Sequence, residues 1–419
     1  MYNAKDDVYI RISKVLISLY IVYNTSLVYV GFFVPRLSIL ILAGSVLSLF
    51  IYFINNGLYV NMNYDWLLLL LFFVVSSITG QFVAVNYQYL NNTIAFLAES
   101  LIVGFIIIEI SIISDSNLFV SKSVALATTI IAIRFLTGNV VYIEGRATIS
   151  YDLNVNAFGV YMMFGCWCML RNLISEKHLA TSLVVSLLVS SYYTYIIIQS
   201  GSRKASISLL LIVISCIFIF WVLALTKRTV GYAIFVVLVV IIFFAVIYLL
   251  FGEQFLEKGA ILQERLEDSE TLVSGYNIRL DLALDALNCF KNNIICGVGL
   301  SNSPFHSAYG MYSHNTYAEA LACTGILGSI PLFCVLVEIT LKHLLWLQLN
   351  NNHDRYFLLK LFDSLLLIIF LFVCSGQIFF YNERLMIILF LIICNPLIGS
   401  GGKNDKIHIK KRSKYILLS

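Results

Sequence analysis

Uninterrupted apolar stretches of about twenty residues recur along almost the whole chain, and that is the length a helix needs to cross the hydrocarbon core of a bilayer. About twelve stretches qualify: Ile12–Val34, Leu37–Ile54, Trp66–Val85, Ile94–Ile113, Leu118–Thr137, Val155–Ile174, Leu179–Ser200, Ala205–Leu225, Gly231–Phe251, Asn315–Trp346, Leu358–Ile378 and Leu385–Ile398. In lipid, every backbone polar group must be satisfied within the protein, so stretches of this kind fold as helices. The expected fold is therefore an all-α, polytopic membrane protein forming one integral membrane domain over residues 1–419. Composition agrees: 60% of the residues are hydrophobic and 12% charged, against roughly half and a quarter in soluble domains. The mean hydropathy is +0.90. The first stretch has no small-residue cleavage site after it and is expected to be retained.

Loop charge sets the expected orientation, because cytoplasmic loops of membrane proteins are enriched in Lys and Arg. Twelve spans put both termini on one side. That side collects Lys5, Arg11 and Lys14, Arg171 and Lys177, Lys227 and Arg228, and the basic tail over 403–419. Both termini are therefore expected in the cytoplasm, with the tail against anionic lipid and the chain in the cytoplasmic membrane. The net charge of +4 is dispersed among loops and gives no footprint for nucleic acid. Most of the nine cysteines lie inside apolar stretches, where they act as small apolar residues. Cys289 and Cys296 lie in a loop, but their spacing does not define a bridge, and the expectation is that they stay unpaired.

The cations on the other side are the informative ones. Arg203 and Lys204 occupy a tight turn in Gly201-Ser202-Arg203-Lys204, just before the stretch beginning at Ala205. Two readings compete for Arg203: snorkelling to phospholipid headgroups, or gripping a phosphate together with the free N–H groups of a helix start. Arg279 lies in the long extracytoplasmic loop 252–313. Loops of that length are uncommon unless functional. Leu280, Ala283, Leu284, Leu287 and Phe290 recur at helical spacing, with Asp281, Asp285 and Asn288 opposite, so the loop is expected to contain an amphipathic helix on the membrane surface or over a cavity. Arg279 would then be either a second clamp on the same anion or half of a surface ion pair with Asp281 or Glu270. Gly297-Val298-Gly299 marks a tight turn beyond it.

Ser313-His314-Asn315-Thr316-Tyr317-Ala318-Glu319 leads from this loop back into an apolar helix. Ionisable groups at a membrane edge are costly and usually functional. His314 is either an ordinary first-turn residue capped by Ser313 or a general base, kept unprotonated by the positive end of the helix. Glu319 is read as a binder of sugar hydroxyls or as a cap for a neighbour. Asp152, in Asp152-Leu153-Asn154-Val155-Asn156, bonds a hydroxyl or caps the helix that follows. His306 and His314 alone do not make a metal site, and no nucleotide-binding or Ser-His-Asp pattern is present.

Taken in order, Gly-Ser-Arg-Lys-Ala opening a helix, Arg279 heading an amphipathic helix that ends in Gly-Val-Gly, and His-Asn-x-Tyr followed by Thr324-Gly325-Ile326-Leu327-Gly328 resemble the O-antigen ligase and O-antigen or capsule polymerase superfamily over about residues 150–335. Asp152-Leu153-Asn154 is similar to that superfamily's weaker Asp-x-Asn element. Lys204 departs from the commoner small residue after the arginine. The resemblance implies a membrane-embedded glycosyltransferase that inverts the anomeric carbon and uses no metal or other cofactor. Arg203 and Arg279 would bind the pyrophosphate of an undecaprenyl-diphosphate-linked glycan, and His314 would activate an acceptor hydroxyl. Lys204, Glu319, Asp152, Asn315 and Tyr317 would contact substrate. The expected function is a polymerase joining lipid-linked repeat units, with a chain-length regulator as a possible partner. The alternatives are a ligase passing glycan to lipid A-core and, from another class, a polysaccharide transporter or flippase.

Overall fold

The computed structural model describes residues 7–56, 63–143, 145–151, 153–175, 179–226, 269–348 and 355–397. Among the described residues the twelve α-helices are α1 (Val8–Thr25), α2 (Leu37–Asn56), α3 (Tyr64–Val83), α4 (Tyr87–Ser114), α5 (Leu118–Leu136), α6 (Val155–Ser175), α7 (Leu179–Ser200), α8 (Arg203–Thr226), α9 (Ser269–Asn292), α10 (Thr316–Gln348), α11 (Arg355–Cys374) and α12 (Glu383–Cys394). Among the described residues, nine are long and apolar enough to cross a membrane: α2 to α8, α10 and α11. The protein is an all-α polytopic membrane protein. The expected span Gly231–Phe251 and the basic tail lie outside the described residues.

Two expected spans take another form. The first is an 18-residue helix carrying Arg11 and Lys14, continued by a short 3-10 turn over Leu27–Val30. The last, α12, has only 12 residues, and every one from Arg384 to Cys394 is buried. A helix apolar on all sides belongs inside a bundle, and α12 packs there against α4. The fit depends on Gly104, where an added Cβ would lie 2.2 Å from the Phe390 ring. The most buried of the nine candidate spans is α6, which packs against α5, α7, α8 and α11. A small antiparallel hairpin, β1 (Val141–Ile143) with β2 (Arg146–Thr148), precedes α6 and pairs Val141 with Thr148. The apolar spans did not predict it.

The expected span from Asn315 overshoots because α10 runs 33 residues through a break at Gly325, where φ is 57° and ψ −162°. The break orphans the backbone groups of a turn, and the segment after α9 takes their place. Val298 and Gly299 donate N–H to the carbonyls of Ala322 and Cys323 at 3.0 and 2.8 Å. Ile326 and Leu327 donate in turn to the carbonyls of Ile294 and Ile295 at 2.8 and 3.2 Å. The backbones come so close that a Cβ on Gly297 would lie 2.4 Å from the Cys323 carbonyl carbon, and one on Gly325 would lie 2.4 Å from the Ile295 oxygen. Both glycines also have positive φ. The two glycine motifs read from the sequence are therefore halves of one splice, and it fastens the helix bearing Arg279 to the helix that follows His314. Cys289 and Cys296 are both free thiols.

Candidate functional site

One end of the bundle opens into a cavity of about 1060 Å³. Its wall is built largely from helix ends and turns: Asn24 at the end of α1 and Tyr29 just beyond it, Asn156 and Val160 at the start of α6, the 201–204 turn between α7 and α8, Arg279 of α9, Tyr312 and His314 before α10, and Gly376 to Arg384 from the end of α11 into the start of α12. Arg203, Lys204, Arg279 and His314 are separated by up to 111 positions in sequence, and they line this one space.

The Arg203 turn is set by local geometry. Gly201 adopts φ 60° to end α7, and Ser202 accepts the first backbone bond of α8 from Ser206 at 3.0 Å. The turn sits tightly on α6 because position 159 is glycine; a Cβ there would lie 2.5 Å from the Ser200 hydroxyl oxygen. Arg203 is therefore the first residue of a helix whose leading N–H groups have no intrahelical acceptors. Lys204 reaches across to the end of α11, donating to Ser375 Oγ at 2.6 Å and to the Phe372 carbonyl at 3.3 Å. Its ammonium fills the space left by Gly376.

Arg279 lies in the interior of α9 rather than at its head, because the helix begins at Ser269. Its packed face also differs from the expected one. Leu282, Ala286 and Cys289 are buried, whereas Leu280 and Leu284 face outward, because small side chains let α9 lie close against α10. Among the described residues no ion pair joins Arg279 to Asp281. Arg203 instead acts on Arg279 as a like charge.

Among the described residues, His314 is one of four non-glycine residues with positive φ, at 53°. Such a conformation needs support from its surroundings. Glu319 supplies it, accepting the Ser313 N–H at 2.9 Å and the Ser303 hydroxyl, while the tilted Tyr312 ring lies 4.2 Å from the imidazole. Burial, then the neighbouring Arg279 charge, hold the His314 pKa below the ordinary histidine value, which favours the neutral imidazole. Asn315, not Ser313, caps α10, accepting N–H bonds from Tyr317 and Ala318 at 2.9 and 3.2 Å.

Three of the residues expected to contact substrate do not line the cavity. Glu319 is fully buried and braces the His314 turn. Asn315 is the helix cap. Tyr317 donates to the Leu371 carbonyl at 3.0 Å and lines a separate apolar groove with Phe333 and Leu336. Short sequence distance from His314 does not place a side chain in the same space once a helix has begun. Asp152 lies outside the described residues.

The cavity also contains residues that the sequence reading passed over. Arg146, in β2, donates through Nε to the Ser200 carbonyl at 3.0 Å and through Nη2 to Asn156. Arg384 makes cation–π contacts with Tyr29 and Tyr161, at 4.1 and 5.1 Å from their centroids. Glu383 accepts from Asn24 at 3.1 Å; burial, reinforced by Glu99, pushes its carboxyl up to about 7. Arg146 and Arg384 had a readable signal, since both fall on the side expected to be outside, where cations are disfavoured. Among the described residues no group of three or more His, Cys, Asp or Glu side chains could hold a metal ion.

The fold and this cavity define a polytopic membrane protein with a cation-lined chamber at one end of its bundle. Residues 185–333 match the family model described as O-antigen ligase. The matched segment runs from α7 into α10 and includes Arg203, Lys204, Arg279 and His314, whereas Arg146 and Arg384 lie outside it. No curated protein matches the chain.

Proposed function

We propose that the protein is a glycosyltransferase that joins polyprenyl-diphosphate-linked repeat units into a polysaccharide, with the cavity facing the outer side of the cytoplasmic membrane. The convergence of Arg203, Lys204, Arg279 and His314 on one chamber carries this reading. Guanidinium groups grip phosphate oxygens in a planar fork and stay charged. Two such groups repelling one another are stabilised by an anion placed between them. In the reaction, an acceptor hydroxyl oxygen bonds to the anomeric carbon of the donor while the bond from that carbon to the diphosphate oxygen breaks. The bonding electron pair leaves with the diphosphate, so negative charge grows where the arginines are fixed, and they stabilise the transition state more than the bound substrate. The hydroxyl proton passes to neutral His314, a step worth about 10²–10⁴-fold in rate. Lys204, tied to the end of α11, positions the 201–204 turn and adds a point charge.

The residues carrying the chemistry fit transfer to lipid A-core equally well, because ligase and polymerase share a donor and differ in acceptor. Purified protein in nanodiscs, supplied with a defined undecaprenyl-diphosphate repeat unit, is expected to build a ladder of longer lipid-linked chains. Arg279→Ala is expected to abolish the ladder without loss of folded protein. A ladder of normal length from Arg279→Ala, or movement of the unit across a liposome membrane without extension, sinks the proposal.

A further inference from the structure

The charges in the cavity do not balance for a diphosphate alone. Apart from Arg146, which is held by Ser200 and Asn156, four cationic side chains among the described residues line it, Arg203, Lys204, Arg279 and Arg384, against the single carboxyl of Glu383. A diphosphate ester supplies one ionised oxygen on each phosphorus, so cationic charge remains unmatched after the donor's headgroup is bound.

Arg384 shows where the surplus lies. It is 7% exposed, and its Nη2 is buried without a hydrogen-bond partner. Leaving such a donor unsatisfied is costly, more so for a charged group. Its Nε makes only a long bond to the Thr25 carbonyl, at 3.4 Å. Cation–π contacts with the Tyr29 and Tyr161 rings hold the guanidinium in place. Glu383, the adjacent residue, acts on Arg384 as a nearby charge, but its carboxyl accepts from Asn24 and, among the described residues, no bond joins it to the fork. Arg384 also belongs to a different wall, the start of α12 against the end of α1, whereas Arg203 and Arg279 belong to α8 and α9.

We propose that the glycan carries an acidic sugar, and that Arg384 receives its carboxylate at a subsite separate from the diphosphate clamp. A planar guanidinium matches a planar carboxylate through two parallel bonds, which a neutral hydroxymethyl group cannot make. The inference rests on the polyprenyl-diphosphate reading of the cavity and narrows its substrate class to uronic-acid-type units.

The test measures binding of wild-type protein in nanodiscs to undecaprenyl diphosphate carrying one glucuronic acid, one galacturonic acid or one glucose. At least one acidic probe is expected to bind about tenfold or more tighter than the glucose probe, the scale of a hydrogen bond to a charged group. This comparison needs no variant. Arg384→Gln is expected to lose most of that preference, weakening the acidic probe far more than the glucose probe, and Arg384→Lys to retain part of it. Arg203→Ala is expected to weaken all three probes, and undecaprenyl diphosphate without sugar, by a similar factor. Equal wild-type affinities for all three sugars overturn the carboxylate subsite, as does an Arg384→Gln variant with the full preference. Undiminished binding of bare undecaprenyl diphosphate by Arg203→Ala overturns the diphosphate reading itself, whatever the sugar result.

Discussion

The two ends of this bundle treat charge in opposite ways. At the end away from the cavity, cations meet carboxylates directly. Arg171 grips Asp363 with two bonds, at 2.7 and 3.0 Å, and Lys342 meets Asp65 at 2.7 Å. At the cavity end, Arg203, Lys204, Arg279 and Arg384 stand against one carboxyl among the described residues. Helix α6 spans both regimes, with Asn156 and Val160 at the chamber and Arg171 in the ion pair. A paired buried charge contributes to holding a fold together only while its partner is present. An unmatched cluster costs stability through mutual repulsion, which the proposed anionic substrate would relieve. The two ends thus separate what the charges hold together from what they bind.

That contrast can be broken most forcefully at the paired end. Asp363→Ala leaves Arg171 buried and uncompensated, and is expected to cost about 3–5 kcal/mol. It should appear as a large fall in thermal unfolding temperature in detergent, with whatever folded protein remains binding undecaprenyl diphosphate normally. At the cavity end, Arg203→Ala is expected to reverse the pattern: unfolding temperature held or raised, chain growth reduced by about 10²–10³-fold. If Arg203→Ala destabilised the protein as strongly as Asp363→Ala, the distinction between the ends would be lost. A titration sharpens the comparison further. His314, depressed by burial and by Arg279, should bind its proton with a midpoint below the ordinary value of about 6.5. On going down in pH it therefore stays neutral for longer than a free histidine. Arg279→Gln removes one depressing charge and should move the midpoint upward, read by ring NMR with His314→Gln identifying the signal. An unmoved midpoint would separate the imidazole from the guanidinium. The smallest effect is expected at the α10 cap, where Asn315→Ala should cost about 1 kcal/mol, read as a small drop in unfolding temperature.

The membrane fold was legible because apolar runs of span length have few other outcomes. Eight of the runs became α2 to α8 and α11, and the tenth became the broken helix α10. What hydropathy missed was everything set by packing between distant segments. Helix α12 is short because it is covered on all sides by protein. The hairpin of Val141–Ile143 with Arg146–Thr148 lies between α5 and α6, in a segment with no span-length apolar signal. The site divided in the same way. Arg203, Lys204, Arg279 and His314 stood out as cations and an imidazole at helix boundaries on the disfavoured side, and all four line the cavity. Arg384 carried the same signal but sits immediately before an apolar run, where it reads as an ordinary flanking cation. Asn315, Tyr317 and Glu319 were drawn in by nearness to His314, and helix geometry turned them away from it.

The splice between the 294–299 segment and the break in α10 has a consequence for how this chain can vary in length. Its four cross-links pair fixed positions on either side of Gly325. One residue inserted between Ile294 and Gly299 would throw the backbone out of step and turn α9, so that Arg279 pointed away from the imidazole. Such an insertion would silence the protein while leaving every charged side chain in the sequence intact.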